Sequence, residues 1–392
     1  MIGVVTAVFW LASLLVVYPS LIYPLILRLL AALSPARRAP GTTADSLPKV
    51  TFVISAFNEE AVIARKLENT LALDFPADRL EVIVASDASS DRTDEIVRAA
   101  AAKERRVRLV RQEERRGKSS VLNKAVAAAS GEIVVFSDAN AIYEANAIRE
   151  LVRDFSDAKV GYVVGAALYS DAGGKPAGES EGIYWKFELF LKRIESRVHS
   201  VVGGDGAIYA IRRHLFWEFK EDDISDFVNP LQIVAAGYRG LFNPAARCYE
   251  HAGETFSKEF RRKRRIVNRT WRAVRRYGYQ LNLRDHGRFL FMLLSHKVVR
   301  WYALPLILVA WLANSALLGE SSFYAWTWAA ITASVALAGV GALFERFGWR
   351  QPRLVYIFYY FYVVNLAGLL GIWDEWRGVR HVTWDHIRKA GS

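Results

Sequence analysis

The chain has 392 residues, room for one large domain with appendages or for two domains, so size does not limit its core. Its 52% hydrophobic content and 12 Trp stand beside 52 Lys+Arg, which argues against a uniform globule and for a membrane protein with a basic soluble part. A single cysteine, Cys248, excludes an internal disulfide framework and suits a cytosolic catalytic region.

Met1 to Leu27 carries no charge and exceeds the roughly 20 apolar residues that cross a bilayer as a helix. It lacks the basic start and the short apolar core of a signal peptide, so residues 1–33 are expected to form a membrane anchor. Arg28, Arg37 and Arg38 follow, and the positive-inside rule then places the soluble region in the cytoplasm. Residues 34–48, SPARRAPGTTADSLP, read as a linker.

Between residues 49 and 256 the pattern is strand and helix in alternation. KVTFVISAF, LEVIVAS, RVRLV and EIVVFSDA are apolar runs rich in Val and Ile, with helical spacing in EEAVIARKLENTLAL and SSVLNKAVAAAS between them. This predicts an α/β domain with an open sheet and helices on both faces, whose ligands sit beyond the carboxyl ends of the strands. The segments just past those ends are SAFNEE, SDASSDRT, RRGKSS and FSDAN.

Each of these segments is ambiguous in isolation. SDASSDRT could be a turn with Ser90 or Asp91 capping a helix. RRGKSS lacks the first glycine of a phosphate loop, and no G-x-G-x-x-G is present. FSDAN offers Asp138 and Asn140, oxygen ligands that suit Mg2+ or Mn2+, or else a polar turn with Asn140 left-handed.

The run KEFRRKRRIVNRTWRAVRRY, starting at Lys258, combines ten Lys or Arg with Phe260, Val267, Trp271 and Val274 on roughly one helical face. Residues 257–300 therefore read as basic amphipathic helices at the membrane interface, cations towards anionic headgroups; a lipid rather than a nucleic-acid partner is expected. Trp301 to Gly319, Ser321 to Phe344 and Leu354 to Trp373 are uncharged and predict three more spans within 301–373. Glu320 suits the outside, while Arg346, Arg350 and Arg353 suit the inside. A fourth crossing puts the basic tail, 374–392 with Arg377, Arg380, Arg388 and Lys389, outside against the same rule. His199, His251 and His296 suggest neither a triad nor a zinc site.

Taken together and in this order, VISAFNEE, SDASSDRT and GKSSVLNKAVAAASGEIVVFSDAN resemble glycosyltransferase family 2 over about residues 48–275. The flanking apolar segments resemble its membrane-bound polysaccharide-synthase-like branch. The resemblance implies a GT-A fold, a Rossmann-like nucleotide-sugar-binding domain flanked by one N-terminal and about three C-terminal transmembrane helices. It assigns Asp87 to the nucleotide base, with Asn58, Glu60 and Lys118 nearby, and Asp138 and Asn140 to a divalent cation, Mg2+ or Mn2+, on the donor diphosphate. GGDGAIYAIRR resembles the acceptor side of the cleft, where Asp205 would bind a sugar hydroxyl.

ISDFVNPLQIVAAGYRGLF resembles the segment carrying the general base, at Asp226, with Ser225 where many relatives have a second acid. A helix cap is the bland alternative for Asp226. Of the processive signature Q-x-x-R-W, residues 262–266 keep Arg265 but lack the Gln and Trp. Arg262, Arg265 and Trp271 could then serve the diphosphate or an anionic acceptor.

The implied function is an inverting, metal-dependent transfer from a nucleotide sugar, a UDP-sugar by expectation, to a lipid-linked or polysaccharide acceptor. The implied setting is the bacterial inner membrane with the catalytic domain cytosolic. A processive synthase that extrudes its polymer and an inactive nucleotide-sugar-binding scaffold are the alternatives.

Overall fold

The computed structural model describes residues 1–34, 47–170, 179–251 and 256–383. Most of the expected linker, with Arg37 and Arg38, and the tail residues Arg388 and Lys389 lie outside the described residues. The chain divides into a helical body, Met1–Leu30, Glu254–Asn268 and Phe291–Val379, and a sheet domain, Ala31–Gly253, Arg269–Leu290 and Arg380–Ser392.

The sheet domain is built on the apolar runs. β1 (Val50–Ala56) is buried along its whole length, as a strand covered on both faces must be. It pairs in parallel with β2 (Leu80–Ser86) on one side and β4 (Ile133–Asp138) on the other, and β3 (Val107–Arg111) continues beyond β2. Helices Ile63–Leu71, Thr93–Lys103 and Lys118–Ala128 make the crossovers. These parallel registers align the strand ends: Ser55 stands opposite Asp138, and Ala56 opposite Ser86.

The remaining strands depart from simple alternation. β5 (Ile142–Tyr143), β6 (Val160–Ser170), β7 (Tyr209–Arg212) and β8 (Arg239–His251) complete an eight-stranded sheet ordered β3-β2-β1-β4-β7-β6-β8-β5. β7 runs antiparallel to both β4 and β6, so the sheet is mixed rather than uniformly parallel. The inversion positions the site: with Tyr209 opposite Phe136, the GGDG turn that precedes β7 arrives beside the carboxyl end of β4.

In the helical body, the first helix runs Ile2–Leu33 and is long and apolar enough to cross a membrane. It passes through a π-turn at Tyr18–Ile22, where Pro19 removes a backbone donor. Two further helices, Ser322–Phe347 and Arg353–Trp376, also meet the length and composition of a span. The span expected from Trp301 is interrupted near its start and can form only as a bent pair. Leu283–Trp301 and Ala303–Ser315 meet at a 64° bend. Pro305 explains the break, since its missing N–H and its ring are incompatible with a helix running on from Trp301. The 13-residue segment Ala303–Ser315 is about 20 Å long at 1.5 Å per residue, short of a hydrocarbon core of roughly 30 Å. Its Ala310 and Ala313, with Leu317 just beyond, form a cluster with Phe9 and Ala12 of the first helix.

The basic helix forms, as Phe256–Tyr277. Its cations are less free for headgroups than amphipathicity suggested. Arg262 and Lys263 pair with Glu259, and Arg264 makes a two-pronged contact with the buried Asp374 at 2.5 and 2.7 Å. That approach needs Gly371, where a β-carbon would stand 2.5 Å from the Arg264 carbonyl oxygen. In the sheet domain, Arg272 and Arg276 pair with Asp222, and Arg276 and Tyr277 with Asp223.

Candidate active site

The ends of β1, β2 and β4 present the residues singled out in the sequence, and local hydrogen bonds fix them in two groups. The first group surrounds Asp87. Its side chain is fully buried, and its carboxylate accepts the backbone N–H of Arg116 (2.9 Å) and of Gly117 (3.0 Å) and the amide of Gln112. Burial pushes the Asp87 carboxyl up, against the pull of those donors. Asp87 therefore shapes the loop before helix Lys118–Ala128, and Gly117 at φ +92° lets that loop turn back on it.

Asn58 and Glu60 hold the facing turn. Asn58, itself at φ +53°, accepts the N–H of Ser90 at 2.7 Å, and Glu60 accepts that of Arg92 at 3.1 Å. Asp91 accepts the N–H and hydroxyl of Thr93, the first residue of helix Thr93–Lys103, which has no side-chain cap.

The second group is the chemical one. Lys118 Nζ donates to Asp138 Oδ1, which also accepts from Ser55 at 3.1 Å. Asp138 Oδ2 points elsewhere. A β-carbon built on Gly206 would lie 3.5 Å from Lys118 Nζ, 3.6 Å from Asp138 Oδ2 and 3.6 Å from Asp226 Oδ2. An ammonium and two carboxylates from three separate chain segments thus face one small space, kept open because residue 206 has no side chain.

Asp226 stands in the first turn of helix Ser225–Ala235, which has no side-chain cap, so the capping alternative fails. Burial raises its carboxyl above the usual range; Asp205 and Asp138 push the same way, while Lys118 and Arg269 oppose them. A carboxylate so placed is a stronger base than a solvated one. The loop before it is clamped: Ser119 donates to the Asp223 carbonyl at 2.5 Å, and Arg269 donates to the same carbonyl and to Ser119.

Asp205 is not a solvated turn residue. It pairs with the buried Lys192 at 3.3 Å, and Lys192 in turn lies over the Trp185 ring. Asn140 is not left-handed, since Asn58 and Ala88 are the non-glycine residues with positive φ among those described. Its amide nitrogen donates to Glu250 Oε1 at 2.9 Å. Arg262 and Arg265 belong to the helical body and Trp271 to the sheet-domain half of the basic helix; the carboxylate cluster is built without them.

Sequence reasoning missed Lys192, Glu250 and Lys66. Lys66 is fully buried beneath the SDAN turn, donating to the Ala141 carbonyl with its ammonium over the Tyr143 ring; burial lowers it to about 7. A lysine in the midst of an amphipathic helix gives no motif to find, although a charged residue on an apolar face is a signal of sorts.

Among the described residues, no three His, Cys, Asp or Glu side chains converge in a metal-binding group. Asp138 and Asn140 still suit a hard cation that takes its other ligands from water and phosphate. Asp138 Oδ2 faces the open space at Gly206, and its Oδ1 already draws a positive partner.

Residues 51–219 match the family described as Glycosyl transferase family 2. Among solved structures, the chain is similar to the mannosyltransferase PcManGT from Pyrobaculum calidifontis in complex with GDP-Man and Mn2+. The two are 24% identical with a TM-score of 0.69, over 93% of this chain and 99% of that one. The mixed sheet is accordingly a GT-A fold. A structure of GalNAc-T7 with UDP, GalNAc and Mn2+ aligns at 17% identity and a TM-score of 0.42, over 53% of this chain and 44% of that one, too remote to bear on the site. No curated protein matches the chain.

Proposed function

The chain carries a glycosyltransferase family 2 domain, and from that premise we propose an inverting, metal-dependent transfer of a sugar from a nucleoside-diphosphate donor to a lipid-linked or polysaccharide acceptor. The observation that carries this reading is the convergence of Lys118, Asp138 and Asp226 on the space above Gly206.

An alcohol is a poor nucleophile at neutral pH, so the acceptor hydroxyl needs a base within reach. Asp226, half-buried and with its carboxyl raised, is that base: it takes the hydroxyl proton as the oxygen bonds to the anomeric carbon and the bond to the diphosphate breaks. No covalent intermediate is required. A divalent cation held by Asp138 and Asn140 would offset charge on the leaving diphosphate. Lys118 adds a fixed positive charge on the same side of the space and keeps Asp226 from being protonated too readily. Asp87 holds the loop against which the nucleotide base would lie, and Asp205 with Lys192 supplies polar groups for a sugar hydroxyl.

The donor nucleotide is the open choice. A UDP-sugar is one expectation, and the GDP-Man bound by the similar mannosyltransferase is the other to be tried first. Purified full-length protein with Mn2+ should release nucleotide from one member of a panel of UDP- and GDP-sugars when given a lipid-linked acceptor. Asp226→Asn should reduce that rate by about 10²–10⁴-fold, and equal turnover would remove the base assignment.

The pH profile gives a second check. Activity should fall as pH drops through the raised value of Asp226, because only the ionised form accepts a proton. Removing Lys118, which holds that value down, should move the acid limb of the Lys118→Met profile to higher pH.

A further inference from the structure

A metal site made of one carboxylate and one amide has an orientation problem that a two-carboxylate site does not. Both oxygens of an aspartate can bind a cation, whereas an asparagine has one oxygen and one NH2 end that repels it. A half-turn of the amide exchanges the two. Something must hold Asn140 with its oxygen towards the cation.

The sheet brings a holder to it. β5, only two residues long, pairs antiparallel with β8, Ile142 opposite Tyr249 and Tyr143 opposite Cys248. Continued by one step, that register sets Glu250 against the end of the Asp138–Ala141 turn. There Glu250 Oε1 accepts the Nδ2–H of Asn140 at 2.9 Å. A carboxylate can only accept, so it binds the NH2 end and leaves Asn140 Oδ1 directed away from itself. The turn is braced from below as well, by Lys66 on the Ala141 carbonyl and by the Ala141 N–H to Asp138 O bond at 3.3 Å.

Resting on the reading of Asp138 and Asn140 as the cation ligands, we infer that Glu250 is a positioning residue for the metal, fixing the Asn140 amide so that its oxygen is the ligand. Partners behind a metal ligand of this kind typically change metal affinity by 10–100-fold.

The test is Mn2+ binding by the full-length protein in detergent, read as loss of the free-ion electron paramagnetic resonance signal, with UDP and with GDP present in separate titrations. Glu250→Ala should weaken binding about tenfold or more. Glu250→Gln, which keeps an acceptor oxygen but no charge, should recover most of that loss. In an Asn140→Asp background orientation no longer matters, so adding Glu250→Ala should cost less than about threefold. Unchanged affinity in Glu250→Ala, a Glu250→Gln variant as weak as Glu250→Ala, or the same loss in both backgrounds would overturn the inference. Asp138→Asn separates the two levels. If it leaves Mn2+ binding intact, the metal site itself is misplaced; if it abolishes binding while Glu250→Ala does not weaken it, only the role of Glu250 fails.

Discussion

Gly206 is the residue on which the site turns, because the position of its missing side chain is the meeting point of Lys118, Asp138 and Asp226. Distances of 3.5 to 3.6 Å are ordinary contacts, so a methyl group fits there without displacing backbone. Gly206→Ala should therefore fold with an unchanged melting temperature while losing about 100-fold in kcat/KM, since a small misplacement of reacting groups is that costly. Gly240 makes the contrast: a β-carbon there would lie inside the Tyr162 ring at 1.7 Å, and Gly240→Ala should fail in stability first. At this scale the legible residues were those in motifs. Asp138 and Asp226 could be singled out because the segments that carry them, FSDAN and ISDFVNPLQ, resemble family motifs. Lys192 and Glu250 could not: Lys192 sits on the helix Glu179–Val198 with no motif around it, and Glu250 is 110 residues from Asn140 and meets it only through the pairing of β5 with β8.

The clamp on Asp226 is a property of elements. The loop residues Asp222 and Asp223 are buried where they meet the second half of the basic helix. Asp223 accepts from Arg276 at 2.7 Å, from the Tyr277 hydroxyl at 2.7 Å and from the Lys220 N–H at 2.9 Å. Asp223→Ala would strand the Tyr277 hydroxyl and the Lys220 N–H and leave Arg276 with Asp222 alone, a loss of about 2–4 kcal/mol at about 1–3 kcal/mol for each unsatisfied group. It should lower the melting temperature by several degrees, whereas Tyr277→Phe, which loses one hydrogen bond, should cost about 1 kcal/mol. Calorimetry of the detergent-solubilised variants would measure both, and equal melting points for wild type and Asp223→Ala would mean the helix does not hold the loop. β1, β2 and β4 were legible because a strand buried on both faces is a continuous apolar run. The antiparallel entry of β7 was not, since its direction depends on where the chain returns after the long helix Glu179–Val198 rather than on any local pattern.

For the whole molecule the open matter is how often the chain crosses the bilayer. Arg380 and Val382 belong with the sheet domain: Arg380 Nε lies 3.8 Å from Asp222, and the Val382 carbonyl oxygen 2.6 Å from where a β-carbon on Gly117 would stand. A tail held there is expected on the same side of a membrane as that domain, which calls for an even number of crossings between residues 290 and 380. Charge selects which. The positive-inside rule places Arg346, Arg350, Arg353, Arg377 and Arg380 with Arg28, and leaves Glu320 on the far side. On that rule the bent pair ending at Ser315 should cross once, Ser322–Phe347 should return, and Arg353–Trp376 should begin and end on one face. That last helix is also the most enclosed by protein, 33% buried against 11% and 17% for the other two candidate spans. Cys248 is buried, so wild type should not react with an impermeant maleimide, and single introduced cysteines can report position. In intact cells Glu320→Cys should be labelled, while Arg350→Cys and Thr383→Cys should react only after permeabilisation. Labelling at 383 in intact cells would restore the fourth crossing against its charge. Labelling at 350 but not at 383 would make the last two helices a membrane-spanning hairpin and the bent pair a re-entrant one.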